Sequence, residues 1–230
     1  MTIIADSLQE IQVKIHAALR SANRQDTLQL LAVSKAQTAD KLREAYLSGQ
    51  RLFGENYLQE AICKQEQLAD LNIEWHFIGP IQSNKTQLIA QHFDWVHSVD
   101  RLKIAQRLSD ARPSKLAPLN ICIQINSSFE DTKSGADLAE VTTLATAINQ
   151  LPNLKLRGVM SIPAPASDYD KQRAQFKIVS DTFNSLKQRG FIIDTLSIGM
   201  SNDYVAAIHE GATIIRIGSA LFGERKVSTT

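Results

Sequence analysis

The chain has 230 residues, 25 basic against 24 acidic side chains, and a net charge of +1. That length suffices for one large domain with a sizeable core, and the charge balance argues against a nucleic-acid footprint or a polybasic membrane patch. No apolar run approaches the roughly 18 residues a membrane span needs. Asp6 and Glu10 interrupt any signal-peptide pattern, and Cys63 and Cys122 stand far apart without metal-ligand spacing. The expectation is a cytoplasmic, monomeric, single-domain protein over 1–230 with two structural thiols.

Ile4, Leu8, Ile11, Ile15 and Leu19 recur at helical spacing and predict an amphipathic first helix, with Ser7 and Glu10 as its capping box. Short β-rich runs then alternate with helical stretches. Strands are predicted over 28–34, 51–54, 73–77, 94–97, 119–125, 154–159, 194–198 and 213–217. Helices are predicted between them over 38–48, 55–69, 84–91, 100–111, 136–149, 169–189 and 202–210. Strict alternation implies parallel strands with crossover helices, and eight of them close most naturally into a (β/α)8 TIM-type barrel. No GxGxxG follows the first strand, which speaks against a doubly wound dinucleotide-binding sheet. The most loop-like stretch, IPAPASDYD (162–170), is too short for an interdomain tether.

In such a barrel the functional groups collect at the carboxyl ends of the strands. The first strand runs into Lys35; the bland reading is a lysine snorkelling to solvent, the sharp one a nucleophile. FGEN (53–56) puts Asn56 at the tip of strand two. SIGMSNDY (197–204) and IIRIGSALFG (214–223) each lead from a strand through glycine and serine into a helix. Ser201 on one and Gly218 and Ser219 on the other offer hydroxyls and backbone N–H groups suited to a phosphate, at the strands where barrels commonly hold one. Barrel closure sets strand eight beside strand one, and therefore Lys35 beside Arg216, Gly218 and Ser219. A lysine in an apolar pocket near a cation presents a neutral amine to a carbonyl. A phosphorylated aldehyde satisfies both halves of such a site. Pyridoxal 5′-phosphate is that molecule, with Arg216 available to its pyridine nitrogen.

The segments AVSK, FGENYLQE, WHFIGPIQSNK, KSG, SIGMSNDYVAAI and RIGSALFG, in this order from about residue 28 to 224, resemble the pyridoxal phosphate homeostasis proteins of the YggS/PROSC type. The resemblance implies a single alanine-racemase-like barrel (fold type III) that holds the cofactor as an internal aldimine on Lys35. It further implies phosphate-binding roles for Ser201, Gly218 and Ser219, an arginine facing the pyridine nitrogen at Arg216, and a position near the cofactor for Asn56. The family more often has threonine where this chain has Ser219, and the hydroxyl and N–H are retained. The resemblance also raises Lys133 to a second lysine at the barrel mouth; by composition alone, Glu130 and Lys133 sit in a polar loop of solvated charges.

Trp75, His76, Phe77 and His97 read first as core residues on strands, and the five histidines show no metal-ligand spacing. Asp203 reads as a first-turn carboxylate favoured by the helix dipole. Two functions stand against each other: a PLP-dependent amino-acid racemase, and a carrier that buffers or supplies the cofactor to apo-enzymes and so affects amino-acid and keto-acid metabolism. Enzymes of the resembled fold type carry a second β-domain, and this chain ends soon after the strand-eight loop. The expectation is therefore the carrier, without substantial catalytic activity.

Overall fold

The computed structural model describes residues 3–127 and 134–223. Its strands are β1 (Gln29–Val33), β2 (Leu52–Glu55), β3 (Glu74–Phe77), β4 (Trp95–Val99), β5 (Leu119–Gln124), β6 (Leu154–Met160), β7 (Thr195–Ser197) and β8 (Ile214–Ile217). Every neighbouring pair is parallel, and β8 pairs with β1 in the register Ala32↔Ile217, so the barrel closes. The helices are α1 (Ile3–Ser21), α2 (Ala39–Leu47), α3 (Leu58–Gln67), α4 (Thr86–His92), α5 (Leu102–Ala111), α6 (Val141–Ile148), α7 (Tyr169–Gln188), α8 (Tyr204–His209) and α9 (Ser219–Phe222). The predicted alternation is thus the observed one.

The main apolar core lies between sheet and helices, where Ala32, Phe53, Phe93, Ile121, Phe176 and Ile215 are fully or almost fully buried. The barrel interior differs from the branched aliphatic layers common in this architecture. It is built from His76, His97, Ser197 and Arg216, all buried, beside a small separate apolar cluster of Trp95, Cys122 and Met160. At the amino ends of the strands Arg157 lies over the Trp95 ring, 4.6 Å from its centroid, and pairs with Asp194 and Asn120.

Four local expectations are corrected. The capping box fails because α1 begins at Ile3, leaving Ser7 inside the helix; the early Ile4 N–H is held instead by Glu44 Oε1 of α2 at 3.2 Å. The helix expected from 136 begins at Val141, because Ala136 is drawn into the sheet as a parallel bridge to Ile125. The helix expected from 55 begins at Leu58, since Glu55 completes β2 against Phe77. Of the two thiols, Cys122 is buried and Cys63 is exposed, so only the first is structural; both are free.

Candidate functional site

A cavity of about 690 Å³ opens at the carboxyl ends of the strands. Lys35, Asn56, Ser201, Arg216, Gly218 and Ser219 all line it, although the sequence separates them by up to 184 positions. Closure of the barrel accomplishes this. β1 ends at Val33, so Lys35 stands two residues past the strand, and the Val33 carbonyl lies 3.1 Å from where a side chain on Gly218 would begin. Only glycine lets the two strand ends approach this closely without displacing one of them. Gly199 serves the neighbouring turn: its φ is +92°, and a Cβ there would sit 2.6 Å from that of Ala207 on α8.

Arg216 is the fixed point of the site. Nη1 donates to the Ser197 carbonyl at 2.6 Å and to Ser197 Oγ at 2.9 Å, and Nη2 donates to the Ser161 carbonyl at 2.8 Å. Burial pushes its pKa down to about 10, against the pull of Asp203, so the guanidinium stays cationic at neutral pH. Asp203 also lines the cavity. Its Oδ1 accepts the Met200 N–H, closing the turn before α8, and burial holds its carboxyl above the usual aspartate range. It is therefore the N-cap residue at the head of α8 rather than a carboxylate within the first turn, and its side chain accepts no capping hydrogen bond from that helix.

Behind Arg216 runs a buried chain the sequence reading did not assemble. Ser197 Oγ meets His97 Nδ1 at 2.9 Å, His97 Nε2 meets His76 Nδ1 at 2.9 Å, and His76 Nε2 meets Glu74 Oε1 at 2.9 Å. One order of donors satisfies every link: Arg216 donates to Ser197, whose hydroxyl donates to His97, whose Nε2–H donates to His76, whose Nε2–H donates to Glu74. Both imidazoles are then neutral. Burial lowers the pKa of His97 well below the ordinary value, helped by His76 and Arg216. Burial also lowers that of His76, outweighing the opposing pull of Glu74 and Asp94. Neither histidine lines the cavity, so His76 keeps its core reading while serving the arginine that does.

The lining also includes Ile162, Pro163 and Pro165, which the sequence flagged only as a loop, and Met200 of the turn that carries Ser201. On the strand-two side the Asn56 Oδ1 is buried without a hydrogen-bond partner. A buried acceptor left without a donor is costly. Glu130 and Lys133 lie outside the described residues. Among those described, no cluster of His, Cys, Asp or Glu is placed to hold a metal ion, and no helix is long and apolar enough to cross a membrane.

Comparison with known proteins follows the same lines. The family profile "Alanine racemase, N-terminal domain" matches residues 7–226. The pyridoxal phosphate homeostasis protein of Pseudomonas aeruginosa is 54% identical, with 98% of this chain and 97% of that protein covered. That of Escherichia coli K12 is 50% identical over 99% of both. The structure of PipY from Synechococcus elongatus PCC7942 with PLP bound superposes with a TM-score of 0.82 at 38% identity, covering 96% of this chain and all of that one. Alanine racemase from Corynebacterium glutamicum shares the fold, with a TM-score of 0.71 at 17% identity, over 99% of this chain but 62% of the racemase. With a cavity-lining lysine, arginine and paired serines at the mouth of a closed parallel barrel, and half its residues shared with these relatives over nearly their whole length, the chain belongs to the pyridoxal phosphate homeostasis protein family.

Proposed function

We propose that this protein binds pyridoxal 5′-phosphate on Lys35 and serves in its homeostasis, retaining the cofactor and giving it up again to apo-enzymes. The observation that carries this reading is the convergence of Lys35, Arg216, Ser201 and Ser219 on one cavity. When bound, the cofactor supplies an aldehyde carbon for an amine and an anionic phosphate.

The chain's own residues divide that work. Lys35 presents its amine at the strand-one end of the cavity. Ser201 and Ser219 donate hydroxyl hydrogen bonds to the phosphate, joined by the first N–H groups of α9, which have no partner within the helix. Gly218 keeps the backbone bare where phosphate and Val33 compete for space. Asn56 lines the cavity at the end of β2, beside the place an occupant would take. Arg216, pinned by Ser161 and Ser197, gives a hydrogen bond to the ring nitrogen and keeps its own proton. A ring nitrogen held this way would stay unprotonated and draw electrons less strongly, which by itself favours neither function.

The extent of the matches supports the carrier reading. The homeostasis relatives are matched over 97–99% of their own length, the racemase over 62% of its length. The likeness to the racemase supports a common fold, and the reaction does not follow from it. The experiment compares racemisation of alanine and related amino acids with reactivation of an apo-aminotransferase, using Lys35→Ala as control in both. The expected result is no racemisation above the control, with cofactor released to the apo-enzyme. Robust racemisation lost in the variant would replace this reading with the racemase.

A further inference from the structure

Lys35 stands two residues past β1, just after Ser34, whose N–H donates to the Gly54 carbonyl of β2 at 2.9 Å, and the next residue, Ala36, has φ of +58°. A left-handed alanine is a conformation an L residue enters only when its surroundings compel it. Here they do. The Ala36 N–H donates to Glu60 Oε1 at 2.7 Å, and Lys64 Nζ donates to the Ser34 carbonyl at 2.7 Å. The first bond holds the peptide plane on the carboxyl side of Lys35, the second the plane on its amino side. Both planes that meet at the Lys35 Cα are thus tied to α3.

The anchor is itself fully engaged. The Lys64 ammonium, 4% exposed, spends its three donors on Ser34 O, Glu55 Oε1 at 2.7 Å and Glu60 Oε1 at 2.5 Å. Ser34 Oγ donates to the same Glu55 oxygen at 2.6 Å. A Glu60–Lys64 pair four apart on a helix is ordinarily a surface pair of little consequence. Here Lys64 is buried and Glu60 half-buried against the turn after β1, so the pair supports the backbone that carries Lys35. We propose that Glu60 and Lys64, with Glu55, are positioning residues for Lys35: they fix its backbone so that the amine meets an aldehyde in one orientation. This rests on Lys35 being the attachment point proposed above.

The test uses two probes, pyridoxal 5′-phosphate and pyridoxine 5′-phosphate, which share ring and phosphate and differ by the aldehyde. Glu60→Ala removes the acceptor for the Ala36 N–H. It should weaken retention of the aldehyde about ten-fold, the weight of one hydrogen bond, and leave pyridoxine phosphate within about two-fold of the wild type. Glu60→Gln keeps an acceptor at the same reach and should recover most of the loss. Should Glu60→Ala fail to fold, Glu60→Asp keeps a carboxylate beside Lys64 yet falls one methylene short of Ala36, and should show the same split. Equal weakening of both probes, or of neither, overturns the positioning role. Wild-type protein that holds the two probes equally and traps no aldehyde on Lys35 would instead overturn the attachment itself.

Discussion

Replacing His97 by leucine breaks the interior chain at its centre. His76 Nδ1 then loses its donor and the Ser197 hydroxyl loses its acceptor, both in buried positions. At about 1–3 kcal/mol for each unsatisfied group, the loss is about 2–6 kcal/mol, a large share of a typical domain's stability of about 5–15 kcal/mol. The pH dependence makes the prediction sharper. Burial depresses the folded-state pKa of both His76 and His97, so the unfolded chain, with histidines near about 6.5, takes up protons first as pH falls. Their contribution to stability is therefore complete above that pH and is lost on acidification towards the folded-state values. Each histidine adds a slope of at most about 1.4 kcal/mol per pH unit, and the variant removes one of the two. Urea denaturation of wild type and His97→Leu between pH 5 and 8 measures both quantities. The variant should be less stable at pH 7 and should lose less on acidification; His97→Gln, which keeps a donor and an acceptor, should restore part of the stability. Parallel acid slopes in wild type and His97→Leu would refute the buried neutral chain.

Two further outcomes bear on the cavity. Ser201→Ala with Ser219→Ala should weaken pyridoxal phosphate binding by about 1.5–3 kcal/mol for each hydrogen bond lost to the charged phosphate, with residual binding through backbone N–H groups. Isothermal titration checks it, and pyridoxal binding as tightly as its phosphate ester would contradict it. Gly199→Ala puts a Cβ 2.6 Å from that of Ala207 at a φ of +92°, so α8 must shift; thermal unfolding should register about 1–3 kcal/mol of destabilisation, and an unchanged midpoint would contradict the packing described.

The barrel was legible because each strand is a short apolar run bounded by a helical pattern, and closure alone brings Lys35 to Gly218. The cavity residues were legible for the same reason: chemistry at strand ends collects on one face. What sequence could not supply were contacts between distant segments. The partner of the Ile4 N–H is Glu44, 40 positions away, and a local serine–glutamate pattern imitated a cap it does not form. Ala136 carries a helical pattern in sequence, yet it pairs with Ile125 as a parallel bridge. His97 and Ser197 are 100 positions apart and share no motif; only strand register inside the barrel joins them to Arg216. Glu60 and Lys64 carried a readable signal, their spacing of four, but nothing in it indicates that they bond to the backbone on either side of Lys35.

The proposed attachment of the cofactor to Lys35 can be trapped chemically. Condensation of its amine with the aldehyde releases water and leaves a C=N bond, to which borohydride adds hydride, giving a secondary amine stable to digestion. Protein incubated with pyridoxal 5′-phosphate, reduced and mapped by mass spectrometry should carry the label on the peptide containing Lys35, and Lys35→Ala should carry none. A label on Lys85 or Lys133 in place of Lys35, or an unlabelled wild-type protein, would contradict it.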